Sequence, residues 1–167
     1  MKYFFKKIYD FIRYDVPKGI ANLWIWFPVI WQDRWWDSYY IYALLHKKLS
    51  LMEKNFLKYG HHVGAEKDAH KMKVCRLLLE RIIKDDYSPM TVHEIKWGEA
   101  ELNWDQLEDG SEYYSLNIIH PKVITVEDKE RERKDFKRAM DQEEYLKKQD
   151  IEYLFKMMKK HIRSWWD

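Results

Sequence analysis

The sequence predicts a mainly α fold: an antiparallel helical hairpin plus a long C-terminal helix, with an irregular or short-stranded flap between them. Three observations carry this. Glycine (5) and proline (4) are scarce in 167 residues, which suits long helices and few tight turns. Apolar residues recur at three- and four-residue spacing through most of the chain. Only the stretch 87–124 lacks that period, and it is the predicted flap.

Each element has a local reason. In 1–15, Phe4, Phe5, Ile8, Phe11 and Ile12 fall on one face of a helix, with Lys6, Lys7, Asp10 and Arg13 opposite. Val16 precedes Pro17 and is expected to be extended, which ends this amphipathic helix near Asp15, and Gly19 completes the break. The segment 20–36 is expected to be a tryptophan-rich connector, extended or mixed, because Pro28 interrupts a regular helix.

Residues 38–86 form the hairpin. Asp37 or Ser38 is the expected N-cap. Ile41, Leu44, Leu45, Leu49, Met52 and Phe56 then mark one stripe, and Gly60 sits where a C′ glycine belongs. The short linker 61–64 folds the next helix back antiparallel. Ala69, Met72, Leu79 and Ile83 line that helix, with Cys75, Leu78 and Ile82 beside them, and Ser88-Pro89 closes it. Within the flap, Asp109-Gly110 is a turn signal and 113–119 a candidate strand. Trp97 and Trp104 either pack over the core or belong to a mobile lid. Thr125 and Asp128 resemble a capping box that opens the C-terminal helix, 125–167. Its first part, EDKERERKDFKR, carries eleven charges in twelve residues and is expected to be solvated and to project. The later part regains an apolar stripe at Ile151, Leu154, Phe155, Met158, Ile162 and Trp165.

Length points to a single domain, 1–167. Hydrophobic residues at 46% suffice for a core, so global disorder is excluded. A net charge of +2 argues against a dedicated duplex-DNA binder. The longest apolar run, 20–31, is shorter than the ~20 residues of a membrane span, so no transmembrane segment is expected. The charged N-terminus does not fit a signal peptide. Cys75 is the lone cysteine, which rules out an intramolecular disulfide and a cysteine zinc site, fits a reducing cytoplasm, and reads as a small buried hydrophobe.

The densest feature is Trp24–Asp37, WIWFPVIWQDRWWD, which holds five of the nine tryptophans. Aromatic faces beside cations stack on unpaired bases at ~1–3 kcal/mol per base. Trp31, Trp35 and Trp36 are therefore candidate stacking residues. Arg34, Lys47 and Lys48 are candidate phosphate contacts. The competing reading makes the tryptophans core anchors and pairs Arg34 with Asp33 or Asp37.

Histidine spacing offers a weaker candidate. Helical spacing of four puts His62, Glu66 and His70 on one face, but no named metal motif is present. No metal, no cofactor and no catalytic residue are expected. Glycine phosphate loops and nucleophile motifs are missing, so the chain is not expected to be an enzyme. The N-terminal helix, with Lys2, Lys6, Lys7 and Arg13, also suits an anionic membrane surface. Apolar residues there and at Trp165-Trp166 suggest a homo-oligomer.

The string FPVIWQDRWWD, followed by YIYALLHKKLSLMEKNF, resembles a group of small uncharacterised proteins from tailed bacteriophages and viral metagenomes. The shared element is IWxDxxWD, here Ile30-Trp31, Asp33 and Trp36-Asp37, followed by a helix ending near Met52-Glu53. It continues more weakly through KVCRLLLERI and the charged helix, over about two thirds of the chain. The resemblance implies a phage origin and action in the cytoplasm of a bacterial host, and it transfers no fold or site. Small phage proteins of this kind often bind host factors or capture nucleotide second messengers. The leading expectation is thus a non-enzymatic anti-defence sponge for a small nucleotide-like ligand. The alternative is a protein-interaction module that inhibits or recruits a host protein through the charged helix Glu127–Gln149.

Overall fold

The computed structural model describes residues 2–34, 36–60, 62–106 and 114–165. The fold is mainly α, with one small antiparallel sheet. Two compact units divide the chain: Met1–Ile83 with Ser164–Asp167, and Lys84–Arg163.

The first unit opens with α1 (Lys2–Asp10), a π-helical turn (Phe11–Asp15) and α2 (Val16–Trp31). These follow without a break, which corrects two expectations. The helix does not stop near Asp15, and 20–31 is helical rather than an extended connector. Pro17 follows the π turn inside this continuous helix, so its missing N–H removes one bond from the ladder. A proline ring would clash with the carbonyl four residues back, and the wide π turn just before it relieves that crowding. Pro28 sits inside α2 and removes one helical hydrogen bond without ending the helix.

The hairpin follows as α3 (Tyr39–Tyr59) and α4 (Ala65–Lys84), close to the predicted bounds. Its buried apolar residues are Leu49 and Phe56 on α3 and Ala65, Ala69, Met72, Cys75, Leu79 and Ile82 on α4. Ile41, placed on the stripe by spacing, is exposed. Arg76 Nε donates to Glu53 Oε2 at 2.7 Å and ties the two helices together. Gly60 does not take the left-handed conformation of a C′ glycine; its φ is −54°. Glycine is required there by space, since a Cβ would lie 2.4 Å from that of Ala65. Trp165, expected as an exposed apolar residue, is buried, and Trp166 lies outside the described residues.

The second unit holds α5 (Ser88–Trp97), β1 (Glu101–Gln106), β2 (Tyr114–Ile119) and α6 (Val126–His161). β1 and β2 pair antiparallel, with Glu101 opposite Ile119 and Gln106 opposite Tyr114. The predicted strand is present, while the Asp109-Gly110 turn lies outside the described residues. The flap expectation missed α5. Ser88-Pro89 was expected to close a helix, but here it opens one, with proline in the first turn. The capping box forms as predicted: Asp128 N donates to Thr125 Oγ1 at 3.1 Å, and Thr125 N to Asp128 Oδ2 at 3.1 Å. The charged start of α6 does not project freely, because α5 packs along it.

Two outcomes test the hairpin core. Leu79→Ala should cost about 2–5 kcal/mol in urea unfolding, because Leu79 is fully buried. A loss below ~1 kcal/mol would show that α4 does not carry the core. Burial pushes the Cys75 thiol up to about 11. A thiol reagent at neutral pH should therefore label it only after unfolding.

Candidate functional sites

The predicted stacking residues lie at the junction of α2 and α3. Trp31 and Trp36 are 73% and 68% exposed, so neither is a core anchor. Trp35 lies outside the described residues. Arg34 is exposed, and its Nη1 donates to the Asp33 carbonyl at 3.1 Å. Asp37 is engaged locally, accepting from Tyr39 N at 2.9 Å. Arg34 lines a cleft of about 200 Å³ with Pro28, Val29, Gln32, Asp37, Tyr39, Tyr40 and Ala43. Trp31, Trp36, Lys47 and Lys48 are not part of that lining. On α3, Lys47 is half-buried and Lys48 exposed. The cleft is below the ~300–1,000 Å³ that encloses a drug-sized ligand. Arg34 and the two tyrosines are thus brought together, while Trp31 and Trp36 are exposed to solvent.

A larger feature adjoins this cleft. No described residue of 3–31 is buried, and only Asp10, Trp26 and Val29 are half covered. Ile8, Ile12, Val16, Ile20, Leu23, Phe27 and Trp31 succeed one another at helical spacing, all exposed. Arg13 lies over the rings of Tyr9 and Tyr14, 5.5 and 5.8 Å from their centroids, and also donates to the Tyr9 hydroxyl.

The His62, Glu66 and His70 set does not converge. His62 precedes α4, so helical spacing does not apply to it. Its Nε2 lies 3.3 Å from Asp68 Oδ2, and Lys71 donates to Asp68 Oδ1 at 2.7 Å. Burial raises the Asp68 carboxyl, but the bonds from Lys71 and His62 outweigh it and hold the group below its ordinary value. Glu66 and His70 are exposed.

In the second unit, α5 meets the charged helix through directed pairs. Glu143 accepts from Met90 N at 3.0 Å. Asp135 Oδ2 accepts from Lys96 at 2.5 Å and from Trp97 Nε1 at 3.2 Å. Trp97 is buried, whereas Trp104 on β1 is exposed. A cleft of about 510 Å³ lies along this packing, lined by Val92, His93, Lys96, Asp135, Arg138 and neighbours. Part of Glu127–Gln149, expected as a recruiting surface, is therefore already covered. His93, His120 and Glu132 also converge here, with ligand atoms within 4.8 Å of one another. No sequence spacing joins these three, though His120 before Pro121 marked a fixed turn. No family model, curated protein or solved structure matches the chain.

The Lys96 bond is the main reason the Asp135 carboxyl titrates below its usual range. Trp97 and the nearby Arg138 charge add to it, against partial desolvation. A carboxyl lowered in the folded state stabilises above its unfolded value, about 3.9, and that contribution fades as pH falls through the folded value. Asp135→Asn should therefore flatten the loss of stability below about pH 4. Urea unfolding followed by tryptophan emission at pH 7 and pH 3 reads this. An unchanged pH dependence would remove Asp135 from the linkage.

Proposed function

We propose that this chain is a non-enzymatic binding protein that docks through its N-terminal helix, 2–31, on an anionic lipid surface. The carrying observation is the exposure of that helix: from Ile8 to Trp31 a row of large apolar side chains runs some 35 Å, at about 1.5 Å per residue, with none of them buried. Exposed apolar surface of that extent marks an interaction or membrane site. Its chemistry favours lipid. Lys6, Lys7, Arg13 and Lys18 accompany Tyr9, Tyr14, Trp24 and Trp31. Cations that reach headgroups and amphipathic rings at the boundary are what an interfacial helix uses. No helix among the described residues is long and apolar enough to cross a membrane, so the helix lies in the interface plane. The likeness to phage proteins supports the cytoplasmic face of a bacterial membrane as the acceptor.

A second reading retains capture of a nucleotide-like ligand. Arg34, lining one small cleft with Tyr39 and Tyr40, favours it. Arg34→Ala would then abolish release of a nucleotide on denaturation of the purified protein.

Vesicle flotation tests the docking. The full chain should float with vesicles containing phosphatidylglycerol and much less with phosphatidylcholine alone, and added salt should weaken binding. Phe27→Ser with Trp31→Ser should reduce binding at least tenfold, since each lost apolar anchor is worth about 1.5–3 kcal/mol. Both positions are exposed, so the fold should survive. A chain that ignores lipid and self-associates, becoming monomeric in the double variant, would replace docking with a homo-oligomer interface.

A further inference from the structure

His93 comes from α5, His120 from the turn after β2, and Glu132 from the second turn of α6. His93 Nε2 lies 3.2 Å from Glu132 Oε1, and His120 Nε2 lies 3.4 Å from the same oxygen. The two histidine side chains are 1% and 5% exposed, and that of Glu132 16%.

The protons are the decisive detail. His120 Nδ1 lies 2.9 Å from the Gly98 carbonyl. A carbonyl only accepts, so Nδ1 donates, and Nε2 is the ring atom left free to act as a ligand toward Glu132. A backbone carbonyl holding the remote nitrogen is how metal-ligating histidines are oriented. Neither ring nitrogen of His93 makes a hydrogen bond of good geometry, although the side chain is almost fully buried. One possible ligand atom from each of the three residues thus lies at one small volume.

We propose that His93, His120 and Glu132 bind a divalent transition-metal ion of the zinc class. Ligand atoms about 2.0–2.2 Å from a tetrahedral ion stand about 3.3–3.6 Å apart. The two measured edges, 3.2 and 3.4 Å, are near that spacing, and the third lies within 4.8 Å. Two imidazoles and one carboxylate suit Zn²⁺, Co²⁺ or Fe²⁺ rather than Mg²⁺ or Ca²⁺, which take oxygen ligands. Three protein ligands leave a fourth position for water or a further ligand. His93 also lines the 510 Å³ cleft. The site rests on residues of the second unit and does not depend on lipid docking.

The test uses the full chain, stripped with a chelator and titrated with Zn²⁺ by calorimetry, then with Co²⁺ by visible absorption. One equivalent should bind, and Co²⁺ should give the intense bands of a tetrahedral site. Free ion at about 100 times Kd should raise Tm by roughly 5–10 °C, whereas Mg²⁺ should not. Glu132→Gln, near in shape, should weaken binding more than tenfold, and His93→Gln likewise. If His93→Gln fails to fold, Glu132→Gln and the Co²⁺ spectrum still decide. His70→Gln, at an exposed position, should change nothing. Absence of binding, an octahedral Co²⁺ spectrum, or loss that tracks His70 instead of Glu132 would overturn the proposal.

Discussion

The limiting constraint in this molecule is how much apolar surface the hairpin can absorb. The stripes of α3 and α4 bury Leu49, Phe56, Met72, Cys75 and Leu79, and that core is closed. The N-terminal helix carries at least as many large apolar side chains, yet only Trp26 and Val29 turn partly inward. A helix that is apolar along its length is stable only when something covers it. In the proposed reading that cover is a surface outside this chain, and the aromatic density of Trp24–Asp37 is part of what meets it.

Proline separates what the sequence revealed from what it concealed. The hairpin was legible because Leu49, Phe56, Ala69, Met72 and Leu79 repeat at helical spacing and Gly60 marks the turn. The capping box at Thr125 was legible for the same local reason. Pro89 misled because proline fits well in the first turn of a helix, and Pro17 and Pro28 misled because the helix continues through them. The dipeptide is the same in either case; the following side chains decide. After Pro89, His93, Lys96 and Trp97 bring α5 onto α6, a tertiary cause invisible to a local window.

Alternating charge on α6 shows the same limit. The pattern around Glu132 and Asp135 suits a solvated helix held by its own i,i+4 pairs. In the folded unit these carboxylates face another helix. Asp135 takes Lys96 and Trp97, Glu143 takes the Met90 amide, and Glu132 lies beside the two histidines. A carboxylate facing a neighbouring helix needs a named partner, whereas one in water does not. The register of α5 on α6 is thus set by polar groups as much as by Phe136 and Ala139. His93, His120 and Glu132 are far apart in sequence, so no spacing rule could assemble them.

The root of the β-hairpin completes this logic. A lone two-stranded sheet is marginal in water, and here both strands are largely exposed. Two bonds hold its base: Lys122 N to the Trp97 carbonyl at 3.1 Å, and His120 Nδ1 to the Gly98 carbonyl at 2.9 Å. Gly98 reaches this position with φ +92°, and a Cβ there would lie 2.6 Å from Pro121 Cγ. Only glycine lets the strand pass so close, and that close passage delivers the carbonyl that fixes the proton on His120. The same contact that anchors the sheet therefore orients the imidazole toward Glu132. Structural anchoring and ligand geometry are one arrangement, which is why the hairpin persists with so little buried surface of its own.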